Sequence, residues 1–235
     1  MKREIICDRI VQAATELLAE GGREAVSTRA VCARSGVQSP TIYRIFHDKQ
    51  GLLDAVARQG FERYLADKAG LPASADPVED LRRGWDLHVG FGLANPALYT
   101  LVYGDVRTGR QSPAAALGAA ALAERVRRVA AAGRLRVSEE RAAHLMHSAG
   151  RGLTLTLIEL PEERRDPALS ALAREAAIAA VTTGAPAPAG AGEPVTAAVV
   201  ALRAALPGLD ALSAAERTLL TEWLDRLAAP AAPSV

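Results

Sequence analysis

The sequence predicts an all-α fold, and three observations support this prediction. Apolar residues recur at helical spacing through most of the 235 residues, and no alternating run is long enough to indicate a β-strand. Alanine is abundant and aromatic residues make up 4% of the chain, a composition that suits packed helices. Hydrophobic residues make up 49%, which is enough for a sizeable core in one or two domains.

The first predicted helix carries an apolar stripe and ends at a pair of glycines. Ile6, Ile10 and Leu17 fall on one side of this helix, and charged and amide side chains fall on the other. Gly21 and Gly22 are expected to end it, because glycine adopts the left-handed cap conformation without a side-chain clash.

Two short helices joined by a glycine turn are predicted next. Ser27 or Thr28 can cap the first of them by accepting a hydrogen bond from a free backbone amide. Val31 and the small Ala33 are expected to face inward, and Gly36 supplies the turn.

The second helix of this pair has a clear start signal and an apolar side. Ser39 offers a capping hydroxyl, and Pro40 follows it at the first helical position. Ile42, Ile45 and Phe46 are available for the core, which leaves the polar and basic side chains of the same helix to face outward.

A fourth helix is predicted to begin at Asp48, its cap, with Lys49 in its first turn. A helix N-terminus beside a lysine suits a phosphate, because free amides and the helix dipole add to the charge. From Arg23 to Lys49 there are five cations and two acids, a local excess of three on a chain with a net charge of +1. This modest excess predicts DNA binding that is weak for a single copy.

Three segments carry a family resemblance: AATELLAEGG, STRAVCARSGV and SPTIYRIFHDKQGLLDAV. Their order and spacing from about Arg3 to Tyr64 resemble the N-terminal domain of the TetR family of bacterial transcriptional regulators. The resemblance covers roughly a quarter of the chain. It implies a DNA-binding domain over residues 1–68, with the helix-turn-helix at about 27–46. It also implies a homodimer whose recognition helices enter successive major grooves of a palindromic, double-stranded DNA operator.

The resemblance also implies DNA contacts at individual positions. Tyr43 and Lys49 correspond to phosphate contacts, and Thr28 and Arg29 correspond to contacts from the start of the preceding helix. The recognition-helix positions that meet bases or backbone are occupied by Gln38, Ser39, Pro40, Thr41 and Arg44.

Some of these assignments have alternatives. Arg44 is the strongest candidate for sequence discrimination, because a guanidinium can reach O6 and N7 of guanine together. Ser39 could instead serve entirely as a cap, Pro40 could only start the helix, and Arg29 could pair with an acid. Ile45 stands where many relatives carry a polar residue, which predicts fewer base contacts there.

Residues 69–235 are expected to form a helical ligand-binding and dimerisation domain. The segment AGLPASADP at 69–77 is rich in helix breakers and marks the boundary. The segment NPALYTLVYGD also resembles TetR-family regulatory domains. Further helices are predicted from about Pro113 to Ala132, from Ser138 to Leu160 and from Asp166 onward.

A cavity between these helices is predicted to bind a small-molecule effector of unknown identity. Its candidate lining residues are Trp85, His88, Tyr99, Tyr103, His144, His147 and Arg151. The competing interpretation is that the tryptophan and the tyrosines are ordinary core residues.

A metal site is the alternative for the histidines, because His144 and His147 share a helix face and His88 could lie opposite. Cysteines and dense carboxylates are missing nearby, so hydrogen-bonding histidines in a cavity wall are preferred, and neither a metal nor a cofactor is predicted.

The predicted helices at about 138–160 and 166–183 are candidates for the dimer interface. Ser148, Gly152 and Thr156 form a stripe of small residues at four-residue spacing, which lets another backbone come close. The pair could form half of an intermolecular four-helix bundle, and relatives commonly dimerise through their penultimate and last helices. Ordinary packing within the chain is the alternative.

A Pro/Gly/Ala linker at about 184–194 precedes a predicted helical hairpin at 195–228. Ser213 and Glu216 have the spacing of a capping box at the start of its second helix. The hairpin could dock on the body, contribute to the dimer or cover the pocket, and the sequence does not choose between these roles.

The remaining features limit the class of protein. Cys7 and Cys32 are interpreted as small core residues, with a redox switch as the alternative. The N-terminus does not resemble a signal peptide, and no apolar run approaches membrane-spanning length, so we expect a cytoplasmic protein without a membrane partner.

Catalysis is not predicted, because the chain lacks a nucleophile elbow, a P-loop, a paired-acid metal motif and a zinc signature. The sequence therefore predicts a homodimeric transcriptional regulator, a repressor that an effector releases from its operator. An effector-independent architectural or interaction protein that binds DNA is the alternative.

Overall fold

The computed structural model describes residues 2–69, 74–104, 112–183, 194–209 and 211–228. Within these ranges the chain forms eleven α-helices and two short 3-10 turns, and its sole β feature is an isolated bridge between Leu135 and Thr182. The all-α prediction is therefore confirmed. None of the described helices is long and apolar enough to cross a bilayer.

The first four helices contain the predicted helix-turn-helix. Their bounds are α1 Lys2–Ala25, α2 Thr28–Ser35, α3 Ser39–Phe46 and α4 Lys49–Ala69. The remaining helices are α5 Pro77–Ala94, α6 Pro96–Tyr103, α7 Pro113–Ala131, α8 Glu139–Glu159, α9 Leu169–Val181, α10 Pro194–Ala205 and α11 Ala214–Ala228. The helical hairpin predicted at the C-terminal end is thus present as α10 and α11.

The chain divides into two compact units that differ from a simple division at residue 68. Unit 1 comprises residues 1–72, 87–118 and 154–165, and unit 2 comprises the remaining segments. Helices α5, α7 and α8 each contribute residues to both units.

Unit 1 has a continuous hydrophobic core built mainly by α1, α4 and α6. Ile10, Leu53 and Phe61 are almost completely buried in it, and Val31 and Ile42 bring α2 and α3 onto the same core. Burial of this apolar side is what holds the short α2 and α3, because helices of eight residues have little stability of their own.

Local capping in unit 1 follows most of the predicted signals. Non-helical backbone at Gly21 and Gly22 interrupts α1, and Gly22 has a φ of 64°. The Oγ of Ser27 accepts a hydrogen bond from Ala30 N at 3.2 Å, so Ser27 is the cap of α2. Gly36 ends α2 in the left-handed conformation with φ 66° and ψ 20°.

Two local predictions are wrong. Ser39 is the first residue of α3 and not its cap, because Gln38 occupies the N-cap position and makes no side-chain capping bond. Pro40 then stands in the first turn, where it is tolerated because that amide needs no helical acceptor. Ala33 is exposed, because α2 buries Val31 and Ser35 on the opposite side.

Unit 2 contains a network of ion pairs around a buried carboxylate on α5. Asp80 accepts hydrogen bonds from Ser74 N at 3.0 Å and from Arg83 Nη2 at 2.5 Å, and it also pairs with Arg128 of α7. Arg128 Nη2 in turn donates to the Ser74 carbonyl at 3.1 Å. These contacts fix the start of α5 against α7.

The hairpin of α10 and α11 has a small core of its own. Val199, Leu206 and Leu224 are buried there. The capping box is confirmed, because Ser213 N donates to Glu216 Oε2 at 2.8 Å and Glu216 N donates to Ser213 Oγ at 3.3 Å. The apolar residues on the outer side of α11 are exposed: Leu219, Trp223 and Leu227.

Candidate nucleic-acid interface

The nine residues predicted to contact DNA all reach the surface of unit 1. Six of them are exposed: Arg29, Gln38, Pro40, Tyr43, Arg44 and Lys49. The other three are half-buried: Thr28, Ser39 and Thr41. The structure therefore places these residues on α2, at the N-cap and along the length of α3, and at the start of α4, with their side chains accessible.

Helix α3 owes its orientation to two apolar side chains. Ile42 and Phe46 are four residues apart and are 3% and 7% exposed, which fixes this side against the core. Tyr43 and Arg44 lie on the other side of the helix, and the ring of Tyr43 is 50% exposed. Ile45 is half-buried and packs against the core, so it is not available to read a base edge.

Three cations on this surface are available for an anionic partner. Arg29, Arg44 and Lys49 form no ion pair with the part of the chain that the structure describes. The alternative in which Arg29 pairs with an acid is therefore not seen among the described residues.

The other two cations counted from the sequence are engaged within unit 1. Arg34 Nη2 donates to Glu20 Oε2 at 2.8 Å, and its guanidinium also lies 3.8 Å from Glu16. The hydrogen bond from Arg34 lowers the pKa of the Glu20 carboxyl. Arg23 donates to the Gln50 side chain at 3.0 Å. This surface therefore offers DNA fewer cations than the five that the sequence has between Arg23 and Lys49.

The start of α4 is arranged as predicted, and one glycine there has a role that the sequence did not indicate. Asp48 Oδ1 accepts a hydrogen bond from Gly51 N at 2.7 Å, which confirms the cap. A Cβ added at Gly51 would lie 2.0 Å from the Phe46 carbonyl oxygen. Gly51 therefore allows α4 to begin directly against the last turn of α3.

The turn between α3 and α4 contains a second residue that sequence reasoning missed. His47 is exposed and has a φ of 69° and a ψ of −48°, and it is the one positive-φ residue other than glycine in the described ranges. The backbone forms a γ-turn around it, because Asp48 N donates to the Phe46 carbonyl at 2.9 Å. A histidine gives no sequence signal for this conformation.

Three of the residues predicted to line an effector cavity come together in unit 1. His88 Nε2 lies 2.8 Å from the hydroxyl of Tyr99, and the rings of Tyr99 and Tyr103 have centroids 4.7 Å apart. Tyr99 is completely buried and Tyr103 is 5% exposed. This group continues into α4, because Phe61 packs edge-on against Tyr103 with the two ring centroids 6.1 Å apart.

The other four candidate cavity residues belong to unit 2. Trp85 is 4% exposed, and its Nε1 donates to Ser170 Oγ on α9 at 3.2 Å. His144 is exposed and lines an open groove of about 390 Å³ along α8. His147 and Arg151 follow on the same helix and are half-buried. Burial, followed by the charges of Arg151 and His144, lowers the pKa of His147.

The fold and this surface define a class of protein: an all-helical chain that carries a helix-turn-helix of the DNA-binding type. Comparison with known proteins is consistent with this class. Residues 10–56 match the family described as bacterial regulatory proteins, tetR family. Residues 10–56 of the chain therefore carry a domain similar to that of the tetR family of bacterial regulatory proteins.

Two curated relatives match the N-terminal part. The tetracycline repressor protein class C of Escherichia coli is 42% identical over 50 residues, which are 21% of this chain and 23% of the repressor. The HTH-type transcriptional repressor KstR of Rhodococcus jostii is 36% identical over 74 residues, which are 32% of this chain and 34% of KstR. The match thus spans about a quarter to a third of the length of these relatives.

The likeness in fold extends further along the chain. A crystal structure from Shewanella, assigned to the TetR family of transcription regulators, superposes with a TM-score of 0.60 at 20% identity. The superposition covers 76% of this chain and 98% of the Shewanella protein.

Proposed function

We propose that this protein is a sequence-specific transcriptional regulator that binds a palindromic operator as a homodimer and represses transcription until a small-molecule effector releases it. The observation that carries this proposal is the surface around α3. Burial of Ile42 and Phe46 presents Tyr43, Arg44 and Lys49 together, without an intramolecular ion pair among the described residues to occupy the two cations.

The residues on this surface suit two kinds of DNA contact. Tyr43, Lys49 and the free amides at the start of α4 suit phosphate oxygens, which position the protein but carry no sequence information. Arg44 suits the O6 and N7 atoms of a guanine, and one such bidentate contact discriminates by about 1–3 kcal/mol. The small number of free cations favours a pair of such surfaces, because one alone would bind weakly.

The helices α8 and α9 supply the surface proposed for dimerisation. Ser148, Gly152 and Thr156 are all exposed on α8, and a Cβ added at Gly152 would meet no atom within 4 Å. Leu145 of α8 is 44% exposed and Leu172 of α9 is 65% exposed. Burial of these apolar and small side chains against a second copy would give a four-helix bundle.

The effector is proposed to bind in the helical body, and the candidate residues that come together in unit 1 are His88, Tyr99 and Tyr103. The aromatic rings provide a route from α5 and α6 to the DNA-binding helices. The ring of Phe61 on α4 packs against the rings of Phe91 on α5 and Tyr103 on α6, with centroid distances of 5.6 and 6.1 Å. An effector that displaced α6 would therefore move α4, and it would change the separation of two recognition helices that must match grooves about 34 Å apart.

One observation favours a second candidate function, that of an effector-independent DNA-binding protein. Tyr99 and Tyr103 are buried and pack ring against ring, as core residues do. If no small molecule releases the protein from its DNA, this second candidate replaces the repressor.

The proposal is tested by measuring binding to a duplex from the upstream region of the gene and to a scrambled duplex of equal length. The wild type is expected to prefer the upstream duplex and to bind it as a dimer, as judged by light scattering. Tyr43→Ala should weaken binding. Trp223→Ala is a matched control, because both rings are 50% exposed and Trp223 lies on α11. A monomer with no preference between the duplexes would refute the proposal.

A further inference from the structure

His47 is the first of the two residues that join α3 to α4. Its amide donates to the Tyr43 carbonyl at 2.9 Å, which closes the last turn of α3. Asp48 N donates to the Phe46 carbonyl at 2.9 Å, which closes a γ-turn around His47. Both neighbours of His47 along this turn are therefore fixed by hydrogen bonds of the main chain.

The backbone conformation of His47 has a cost. With φ 69° and ψ −48°, it lies where a Cβ is unfavourable and where glycine would be accommodated freely. The chain uses glycine for the other positive-φ positions in its described ranges: Gly22, Gly36 and Gly133. A side chain that persists in such a conformation is a candidate for a role of its own.

The imidazole of His47 has no such role within the described part of the chain. It is exposed, and it makes no hydrogen bond or ion pair with another described residue. An imidazole always carries at least one N–H that can donate, and a phosphate oxygen is an acceptor for it.

The position of His47 connects two residues that are proposed to bind phosphates. Tyr43 is one helical turn before it and is joined to it by the backbone hydrogen bond, and Lys49 follows two residues later at the exposed start of α4. All three side chains are exposed on the surface formed by the end of α3 and the start of α4.

We propose that His47 is a further DNA-binding residue, which donates a hydrogen bond from its imidazole to a backbone phosphate between those held by Tyr43 and Lys49. This inference rests on the proposed function. Because a phosphate contact does not depend on base identity, His47 should contribute equally to operator and to unrelated DNA.

The test separates the imidazole from the backbone conformation. His47→Ala removes the imidazole but keeps a Cβ in the unfavourable backbone conformation, whereas His47→Gly removes both the imidazole and the Cβ. Each variant should bind every duplex about threefold to tenfold more weakly, as expected for one hydrogen bond. The thermal midpoint of His47→Gly should lie above that of His47→Ala. His47→Lys, which restores a donor, should recover most of the affinity.

Two controls make the result specific. Arg164→Ala removes an exposed cation from the 3-10 turn after α8 and should leave the affinity unchanged. Lys49→Ala, measured in the same titrations, reports on the proposed function itself. If His47→Ala binds like the wild type while Lys49→Ala binds weakly, the His47 contact is refuted and the DNA-binding surface stands. If the wild type binds no duplex, both proposals fail.

An NMR titration provides an independent readout. The chain has four histidines, so the imidazole Hε1 signal of His47 can be assigned by its loss in His47→Ala. Addition of the upstream duplex should shift this signal. An unchanged His47 signal at saturating DNA would overturn the contact, even if the substitution lowered the affinity.

Discussion

The carboxylate of Asp80 accepts one bifurcated hydrogen bond from the backbone amide of Ser74, with N–O distances of 3.0 and 3.3 Å to its two oxygens. The same carboxylate pairs with Arg83 and Arg128, and its side chain is 9% exposed. Two of the elements of unit 2, α5 and α7, are thus tied through one acidic side chain. A carboxylate removed from water is held in place by compensating donors, so its loss is expected to cost stability.

Replacement of this carboxylate should destabilise the protein. Asp80→Asn is expected to lower the free energy of unfolding by about 2 kcal/mol, because the asparagine side chain lacks the negative charge that attracts Arg83 and Arg128. The loss is not larger because about a third of each arginine side chain is exposed to water, which screens the pairs. Urea denaturation at a fixed protein concentration measures this change. Asp225→Asn, which breaks an exposed pair with Arg203, should cost less than about 1 kcal/mol. Equal losses in the two variants would contradict the role of Asp80.

The contribution of Asp80 should also depend on pH. Burial alone raises the pKa of this carboxyl, but the hydrogen bonds from Ser74 and Arg128 outweigh it, and the net shift is downward. A lowered folded pKa stabilises the protein above the unfolded value of about 3.9, and this stabilisation is lost as the pH falls through the folded value. The difference in unfolding free energy between wild type and Asp80→Asn should therefore be constant near neutral pH and shrink below about pH 4. Urea titrations at several pH values measure it, and a difference that grew on acidification would refute this assignment.

Substitutions at Arg44 and Lys49 should weaken DNA binding in different ways. Arg44→Ala removes a base contact, so it should reduce the preference at one base position in each half-site by about 1–3 kcal/mol. Lys49→Ala removes a phosphate contact, so it should weaken binding to all sequences and reduce the slope of affinity against salt. Anisotropy titrations with single-base operator variants at several salt concentrations distinguish the two. Equal losses on all sequences for Arg44→Ala would rule out base recognition by this residue.

A bulky side chain at Gly152 should weaken the dimer without unfolding the monomer. A Cβ at Gly152 on α8 and one at Gly90 on α5 would both meet no atom within 4 Å, so Leu can be added at either position. Both substitutions should favour the helix by up to about 1 kcal/mol. Gly152→Leu should nevertheless raise the dimer dissociation constant at least about tenfold, because it separates the two backbones proposed to meet there. Sedimentation equilibrium measures this constant, and a dimer unaffected by Gly152→Leu would place the interface elsewhere.

The junction of α3 and α4 should be intolerant of a side chain at Gly51. Gly51→Ala brings a Cβ to 2.0 Å from the backbone oxygen of Phe46, which is a rigid neighbour. The variant is expected to lose about 2–3 kcal/mol of stability and most of its DNA affinity, because α4 must shift to relieve the contact. Thermal melts and binding titrations test this. Gly90→Ala is the control and should melt at or above the wild-type temperature.

Features that depend on local sequence were predictable here. The spacing of Ile42 and Phe46, the cap at Ser27 and the left-handed Gly36 are each determined by a few neighbouring residues, and together they define the helix-turn-helix. The error at the start of α3 moved the cap by one residue, because proline is accommodated throughout a first helical turn.

Features that depend on distant pairings were not predictable. Trp85 donates to Ser170, which is 85 residues away, and Arg82 pairs not only with the nearby Glu79 but also with Glu175, which is 93 residues away. No pattern within one helix specifies the two long-range pairings. The tight contact at Gly51 was also missed, because a glycine in a helix usually indicates weak helix propensity and not a close approach.

The ion pair between Arg34 and Glu20 has a consequence for how the protein would distribute between its operator and the rest of the chromosome. A regulator must find a few operators among roughly 10⁶ or more competing stretches of ordinary DNA, and every additional free cation increases its residence on all of them. Because Glu20 of helix α1 neutralises the guanidinium of Arg34, we expect the protein to bind unrelated DNA more weakly than the number of its cations suggests. Selective occupancy of a target then depends more on the few groups that distinguish one base from another.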